Sequence, residues 1–226
     1  MQRHTILFLA ADPSGTDRLA LDREARAIQV ELERSGFRDR FELVTRWAAA
    51  PLDLLRELRR LKPTVVHFSG RGAPNIAGEP QPDPAPCHAT SDPGHDDPPR
   101  HGLFFQGSDG RPQLVSTEAI AQTFGAAGSS VRLVVLSACH SDAQAKALLA
   151  HVDCVVGMSG SISDTAARSF AIGFYGGLGE REPVEMAYEQ GRAAISLEGL
   201  PNDGGPKLQV RAGVDAGRLV LVADPR

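Results

Sequence analysis

The sequence is poor in cysteine and in aromatic residues, and it has no excess of positive charge. Three cysteines occur in 226 residues, an odd and sparse set that does not form a disulfide framework. Phe, Trp and Tyr together make up 5% of the chain, too few for an aromatic platform that stacks nucleic-acid bases. A net charge of −4 likewise gives no support to the binding of nucleic acids or anionic membranes, which require a basic surface.

Long apolar runs are also missing. The stretch from Ile6 to Ala11 is ended by Asp12-Pro13, too early for a signal peptide or for the ~20 apolar residues of a membrane span. We therefore expect a cytoplasmic protein with neither a membrane nor a nucleic acid as its partner. The basic residues are almost all arginine, a bias typical of a GC-rich bacterial source, and the only lysines are Lys62, Lys146 and Lys207.

What the sequence does contain is an alternation of short apolar runs with segments of helical periodicity. The apolar runs predict strands at Thr5 to Ala10, Phe41 to Arg46, Thr64 to Ser69, Val131 to Leu136 and Cys154 to Met158. The periodic segments predict helices ending near Arg34, starting at Pro51, and spanning Ser116 to Phe124, Ser141 to His151, Asp164 to Leu178 and Pro183 to Leu197. This alternation predicts an α/β fold, a three-layer sandwich with a mostly parallel central sheet and helices on both faces.

Three further segments complete the expected single domain, 1–226. A hairpin is predicted from Gly102 to Gln106 and Gln113 to Val115, and two closing strands from Lys207 to Val210 and Arg218 to Val222. Between the third strand and the hairpin, 73–101 is rich in Pro, Asp, Gly and His and is predicted to be a flexible insert.

The insert carries residue types that bind metals, at Cys87-His88, His95-Asp96-Asp97 and His101. Their spacing matches no structural zinc pattern, and a solvated polar loop explains the same composition. We therefore expect no metal and no cofactor.

In sheets of this kind, sites form beyond the carboxyl ends of the strands. There the sequence reads His67-Phe68-Ser69-Gly70-Arg71-Gly72 at the end of the third strand and Ser137-Ala138-Cys139-His140 at the end of the fourth. A cysteine nucleophile needs such a loop together with a nearby base. The small residues Gly70, Gly72 and Ala138 would leave main-chain amides free to bind substrate as an oxyanion.

Two other residues require an interpretation. Asp164, after the fifth strand, either shapes a substrate pocket or, more simply, caps the following helix. Cys154 begins a buried strand and is predicted to be an inert, packed thiol.

Several segments together resemble the CHAT domain family, part of the caspase-like cysteine peptidase clan that includes caspases and separase. They are ILFLAADPSGTDRLALDREARAI, FELVTRWAAAPLDLLRELRRLKPTVVHFSG, LVVLSACHSDAQA, ISDTAARSFAIGFYGGL and EMAYEQGRAAI. The resemblance covers nearly all of 5–198. It implies a caspase-like fold, a protein or peptide substrate, and Cys139 at the position of the nucleophile.

One position departs from the family pattern. Members usually read His-Phe-(small)-Gly-His-Gly after the third strand, and the second histidine is catalytic; here Arg71 stands in its place. A guanidinium has no acceptor for the thiol proton, although its positive charge favours a thiolate nearby. General acid–base catalysis contributes about 10² to 10⁴ in rate, so we expect proteolysis to be weak or absent.

Other histidines are weaker candidates for the missing base. His67 lies four residues before Arg71 and one layer deeper, where a strand histidine is more often packed and hydrogen-bonded. His140 directly follows Cys139, so its side chain is expected to point elsewhere. The predicted flexible insert contains three histidines, His88, His95 and His101. A flexible loop would not hold them in the precise position that catalysis needs.

Three functions therefore stay open. The first is a cysteine endopeptidase, intact or attenuated, which the resemblance associates with bacterial regulated proteolysis or defence. The second is a pseudo-peptidase that binds a chain as a scaffold or regulatory partner without cutting it. The third is a small-ligand or nucleotide-binding α/β module, since similar sheets host such sites.

Overall fold

The computed structural model describes residues 3–12, 20–73, 101–202 and 204–222. Within these ranges the chain forms nine strands and six α-helices. No helix among them is long and apolar enough to cross a membrane. The proposed insert lies outside the described residues except for its two end residues, Ala73 and His101.

A six-stranded sheet forms the centre of the fold, in the order β2-β1-β3-β7-β8-β9. The first five of these strands pair in parallel and β9 pairs antiparallel to β8. The strands are β1 (His4–Ala10), β2 (Phe41–Arg46), β3 (Val65–Ser69), β7 (Leu133–Ser137), β8 (Cys154–Met158) and β9 (Pro206–Val210). The predicted α/β class with a mostly parallel sheet is confirmed.

Helices cover both faces of this sheet because its inner strands are apolar on both sides. In β1, Ile6 and Phe8 belong to one buried cluster and Leu7 and Leu9 to the other. The first cluster includes side chains of α1 (Leu21–Arg34), α5 (Asp164–Gly179) and α6 (Val184–Leu197). The second includes side chains of α2 (Pro51–Leu61), α3 (Thr117–Ala127) and α4 (Asp142–Leu148).

A second, antiparallel sheet of three strands has the order β4-β5-β6. The expected hairpin forms β5 (Gly102–Gln106) and β6 (Pro112–Ser116), and β5 also pairs with β4 (Arg71–Ala73). The sequence pattern ended the third strand at Gly70-Arg71-Gly72 and did not predict β4. Pairing with β5 supplies main-chain partners for this short strand, and places Arg71 opposite Phe104.

Two predicted elements differ in the structure. The last expected strand, Arg218 to Val222, is absent, and Leu219, Leu221 and Val222 instead enter the core from turns. Burial of these apolar side chains explains the pattern that looked like a strand. The α5 cap is Ser163, whose hydroxyl accepts from the Ala166 amide at 3.2 Å, so the simpler interpretation of Asp164 as the N-cap is wrong.

Candidate functional site

The Cys139 loop lies beside the end of β3 because β3 and β7 are adjacent parallel strands. Their register pairs Ser69 with Ser137, so both chains leave the sheet at the same edge. The adjacency that the sequence suggested is therefore confirmed. Beyond this edge, Cys139 follows β7 by two residues and Arg71 follows β3 by two residues.

Two contacts fix the main chain around Cys139. His140 has a left-handed backbone conformation, with φ of 56°, and its amide donates to the Gly160 carbonyl at 3.1 Å. On the opposite side, a Cβ atom added to Gly72 would overlap the carbonyl oxygen of Cys139. Glycine is therefore required at position 72 for the two loops to approach this closely.

A cleft of about 150 Å³ opens at this edge of the sheet. The candidate residues Gly70, Arg71, Gly72, Ala138, Cys139 and Asp164 all line it. Further lining comes from the start of α1 and from Phe104 on β5. The structure thus brings together the proposed nucleophile, the arginine and the proposed substrate-binding residues in one cavity.

The Cys139 thiol is half-buried and faces this cleft. Its Sγ lies 3.9 Å from the carbonyl oxygen of Ile162, a weak contact with the segment that leads into α5. Within the described ranges, the Cys139 amide donates to no acceptor. This N–H is the kind of group that stabilises a developing oxyanion on a carbonyl attacked by the adjacent sulfur.

Glu24 is the residue that the sequence interpretation missed. It lies on α1, 6% exposed, and its carboxylate accepts hydrogen bonds from Ser69 Oγ and, at 2.9 Å, from Ser137 Oγ. The signal was present, because Glu24 shares the buried face of α1 with Leu21 and Ile28. A carboxylate on an apolar helix face is rarely buried without partners.

The same carboxylate faces His67. Its Oε1 lies 3.3 Å from His67 Nε2, an ion-pair distance without hydrogen-bond alignment, while His67 Nδ1 lies 2.9 Å from the Tyr175 hydroxyl. Burial alone would raise the pKa of Glu24. The charge of His67 and the hydrogen bonds from Ser69 and Ser137 outweigh this effect of burial and lower that pKa below its ordinary value.

His67 itself is sealed beneath the cleft. It is 1% exposed, stacks on Phe8 with ring centroids 4.9 Å apart, and is not among the residues that line the cavity. This is the packed, hydrogen-bonded position expected of a strand histidine. His140 is exposed, and its Nε2 lies 3.3 Å from Ser161 Oγ.

Asp164 contributes the second carboxylate of the cleft. It is exposed at the first residue of α5, and its Oδ2 accepts a hydrogen bond from the Ala20 amide at 3.1 Å. This contact ties the start of α5 to the start of α1, two segments that both line the cavity. Asp164 therefore lines the cavity and joins two segments of its wall through this main-chain contact.

Among the residues that the structure describes, no three His, Cys, Asp or Glu side chains form a group that could hold a metal ion. The segment with Cys87-His88 and His95-Asp96-Asp97 lies outside those residues.

The geometry defines a caspase-like α/β fold with a cysteine at the carboxyl edge of its parallel sheet. The fold resembles that of a secreted C11 cysteine protease from Bacteroides thetaiotaomicron, solved in complex with an irreversible peptide inhibitor. The TM-score is 0.61 at 11% identity, over 93% of this chain and 66% of that one.

The family follows from the sequence comparison. The CHAT domain model matches residues 8–198, and the chain belongs to the CHAT domain family. It is also 24% identical, over 210 residues, to a Roc-COR-CHAT protease from an unknown prokaryotic organism. That match covers 90% of this chain but only 17% of the relative, so this chain corresponds to one part of that much longer relative.

Proposed function

We propose that this chain is a single peptidase-like domain that binds a protein or peptide segment in its cleft. The Cys139 thiol would then lie next to the peptide carbonyl group that it attacks. The observation that carries the proposal is the placement of the Cys139 thiol in a cavity shared with Gly70, Gly72 and Ala138. The protease names of the relative and of the structural neighbour support a polypeptide ligand.

The chemistry would begin with the Cys139 thiolate attacking a peptide carbonyl carbon. The oxygen then carries negative charge, which the Cys139 amide would stabilise by donating a hydrogen bond. Collapse of this intermediate must expel an amine, which leaves readily only if it receives a proton.

Arg71 limits this second half of the reaction. A guanidinium stays charged, neither taking the thiol proton nor giving a proton to the amine. His67, the histidine within β3, is buried beside Glu24 and Tyr175 and lies outside the cavity wall. Hydrolysis should therefore fall by about 10² to 10⁴ relative to a site with a histidine at position 71.

A pseudo-peptidase is the second candidate, and Arg71 is the observation that favours it. In that case the same cleft holds a polypeptide without cutting it, as part of a scaffold or of a regulatory assembly. The protease relative that the chain matches is much longer, and the chain corresponds to 17% of it.

Cleavage of a peptide library by three proteins tests both candidates. They are the unaltered chain, Arg71→His, and Arg71→His combined with Cys139→Ala. We expect cleavage by Arg71→His alone. Equal cleavage by the unaltered chain would refute the role given to Arg71, and no cleavage by any protein would refute the peptidase and leave the binding function.

A further inference from the structure

The floor of the cleft is built from three buried polar side chains. Glu24, Ser69 and Ser137 all line the cavity, with exposures of 6%, 2% and 7%. Ser69 Oγ donates to Glu24 Oε2, and Ser137 Oγ donates to Glu24 Oε1 at 2.9 Å. A glutamate and two strand-end serines from three separate elements thus form one hydrogen-bonded unit beside Cys139.

The direction of these hydrogen bonds decides whether the floor side chains can donate hydrogen bonds to a ligand or only accept them. A serine hydroxyl has one proton, and in both serines Glu24 receives it. Only oxygen lone pairs of Ser69 and Ser137 remain for the cavity, next to a carboxylate whose low pKa keeps it ionised. The side chains of the floor therefore accept hydrogen bonds and donate none, which favours a ligand group rich in N–H donors.

The rest of the cleft suits a long stem that carries such a group. Leu21, Ala138, Ile162 and Ala167 give its wall apolar surface. Asp164 adds a carboxylate at the exposed start of α5. Apolar walls with acceptors beyond them fit a side chain whose methylene groups pack while its charged end is hydrogen-bonded.

The charges facing the cavity agree with this fit. Glu24 and Asp164 are negative, and Arg71 is the positive residue among the described residues that line the cleft. His67 lies behind Glu24, outside the lining. Arg71 belongs to β4, beside Gly72 and the Cys139 loop, whereas Glu24 belongs to α1 at the ends of β3 and β7.

We propose that Glu24, acting with Ser69 and Ser137, makes this pocket selective for a lysine or arginine side chain of the bound polypeptide. The inference rests on the proposed function, because it assumes a polypeptide in the cleft with its carbonyl near Cys139. Glu24 is a specificity-determining residue in this scheme, and takes no part in bond making.

Peptidyl acyloxymethyl ketones test the pocket without requiring proteolysis. The Cys139 thiolate displaces the carboxylate leaving group, an S–C bond forms, and no amine has to be protonated. Four compounds would differ only in the residue next to the ketone: lysine, arginine, norleucine or glutamate. Norleucine is the matched control, because it has the lysine stem without the ammonium.

Intact-mass measurement of the full-length chain gives the second-order rate of labelling. We expect lysine and arginine compounds to label at least about tenfold faster than norleucine, as charged hydrogen bonds to a buried acceptor allow. Glu24→Gln should reduce that ratio to about threefold or less, and Ser137→Ala should reduce it partially. Glu118→Gln, on the exposed side of α3, is the matched control and should leave it unchanged.

A second measurement does not depend on thiol reactivity. Fluorescent peptide methyl ketones with the same four residues would be bound to Cys139→Ala and followed by anisotropy, and thermal melts would confirm that each variant is folded. A preference for lysine and arginine here, lost in Glu24→Gln, supports the pocket even if Cys139 proves unreactive.

The outcomes separate the two proposals. If iodoacetamide labels Cys139 but lysine and norleucine compounds react equally, the selectivity is refuted and the proposed function stands. If Cys139 is inert but lysine peptides bind preferentially, the selectivity stands and the nucleophile is refuted. If no peptide labels or binds, both are refuted.

Discussion

A Cβ atom on Gly72 would overlap the main-chain carbonyl oxygen of Cys139, so the two loops approach too closely for any side chain at residue 72. This contact joins β4 to the loop that follows β7 and fixes the distance between the arginine position and the thiol position. A methyl group at residue 72 would have to displace one of the two chains.

Gly72→Ala should therefore change both the reactivity of the site and the stability of the fold. We expect a loss of about 1 to 3 kcal/mol in the free energy of unfolding, typical of overpacking, and a severalfold change in the alkylation rate of Cys139. Urea denaturation and timed iodoacetamide labelling measure the two effects. Unchanged values in both would show that the loops separate without cost.

Two glycines of α5 offer a matched pair for the helix packing beneath the site. A Cβ on Gly173 would overlap the backbone of Gln190 and Gly191 in α6, whereas one on Gly176 would meet only Glu31 Oε2 at 3.8 Å. Gly173→Ala should destabilise the fold by about 1 to 3 kcal/mol through overpacking. Gly176→Ala should stabilise it by about 0.5 to 1 kcal/mol, since alanine loses less backbone entropy in a helix.

Chemical denaturation of the two alanine variants measures the change in the free energy of unfolding at each position. The substitution and the helix are the same, so only the packing around the two glycines differs. Destabilisation of similar size at both positions would contradict the close α5–α6 contact, because the result would then reflect only a general intolerance of alanine in α5.

The buried Glu24 carboxylate should make stability depend on acid. Its pKa is lowered in the folded state, so the unfolded chain binds more protons and the stabilisation is complete above about pH 4.5, the ordinary value. It is lost as pH falls below 4.5 and through the folded-state pKa. At pH 7, Glu24→Gln should lower the free energy of unfolding by about 2 to 3 kcal/mol.

The difference between the unaltered chain and Glu24→Gln should shrink as urea titrations move from pH 7 toward pH 3. Glu118→Gln supplies the background dependence of an exposed glutamate. If the difference in the free energy of unfolding stayed constant with pH, the contacts with Ser69, Ser137 and His67 would not be stabilising the ionised form of Glu24.

The two described cysteines should differ sharply in reactivity. Burial, reinforced by the charge of Asp153, raises the pKa of Cys154 to about 12, so at pH 8 only about one molecule in 10⁴ carries its thiolate. Cys139 is half-buried at the cleft instead. We expect iodoacetamide to modify Cys139 at least about a hundredfold faster in the native chain.

Peptide mapping after timed alkylation measures both sites in one sample, and labelling in denaturant gives the reference in which they become equivalent. Comparable native rates would mean that the strand around Cys154 opens readily or that the Cys139 loop is closed.

Much of the fold was predictable because its signals are local. Apolar runs such as Cys154–Met158 identify strands wherever they occur, and turn residues such as Gly70 end them. The alternation with helices requires a parallel sheet, and such a sheet directs Cys139 and Arg71 to the same edge. These steps need no knowledge of distant contacts.

The remaining features depend on residues far apart in sequence. Glu24 meets Ser137 across 113 positions, and Asp164 meets the Ala20 amide across 144. Arg71 enters β4 only because β5 pairs with it. No local preference encodes these contacts, because the two partners come together only when the elements that carry them pack side by side.

The layers of the fold, the edge of the sheet where the candidate site lies, and the cysteine and arginine at that edge could therefore be predicted from local patterns. The tertiary structure alone decided what lies beneath them. It turned His67 toward Tyr175 and Glu24, and turned the hydroxyls of Ser69 and Ser137 onto the same carboxylate. The physical reason is that a buried charge is tolerated only when several elements converge to solvate it.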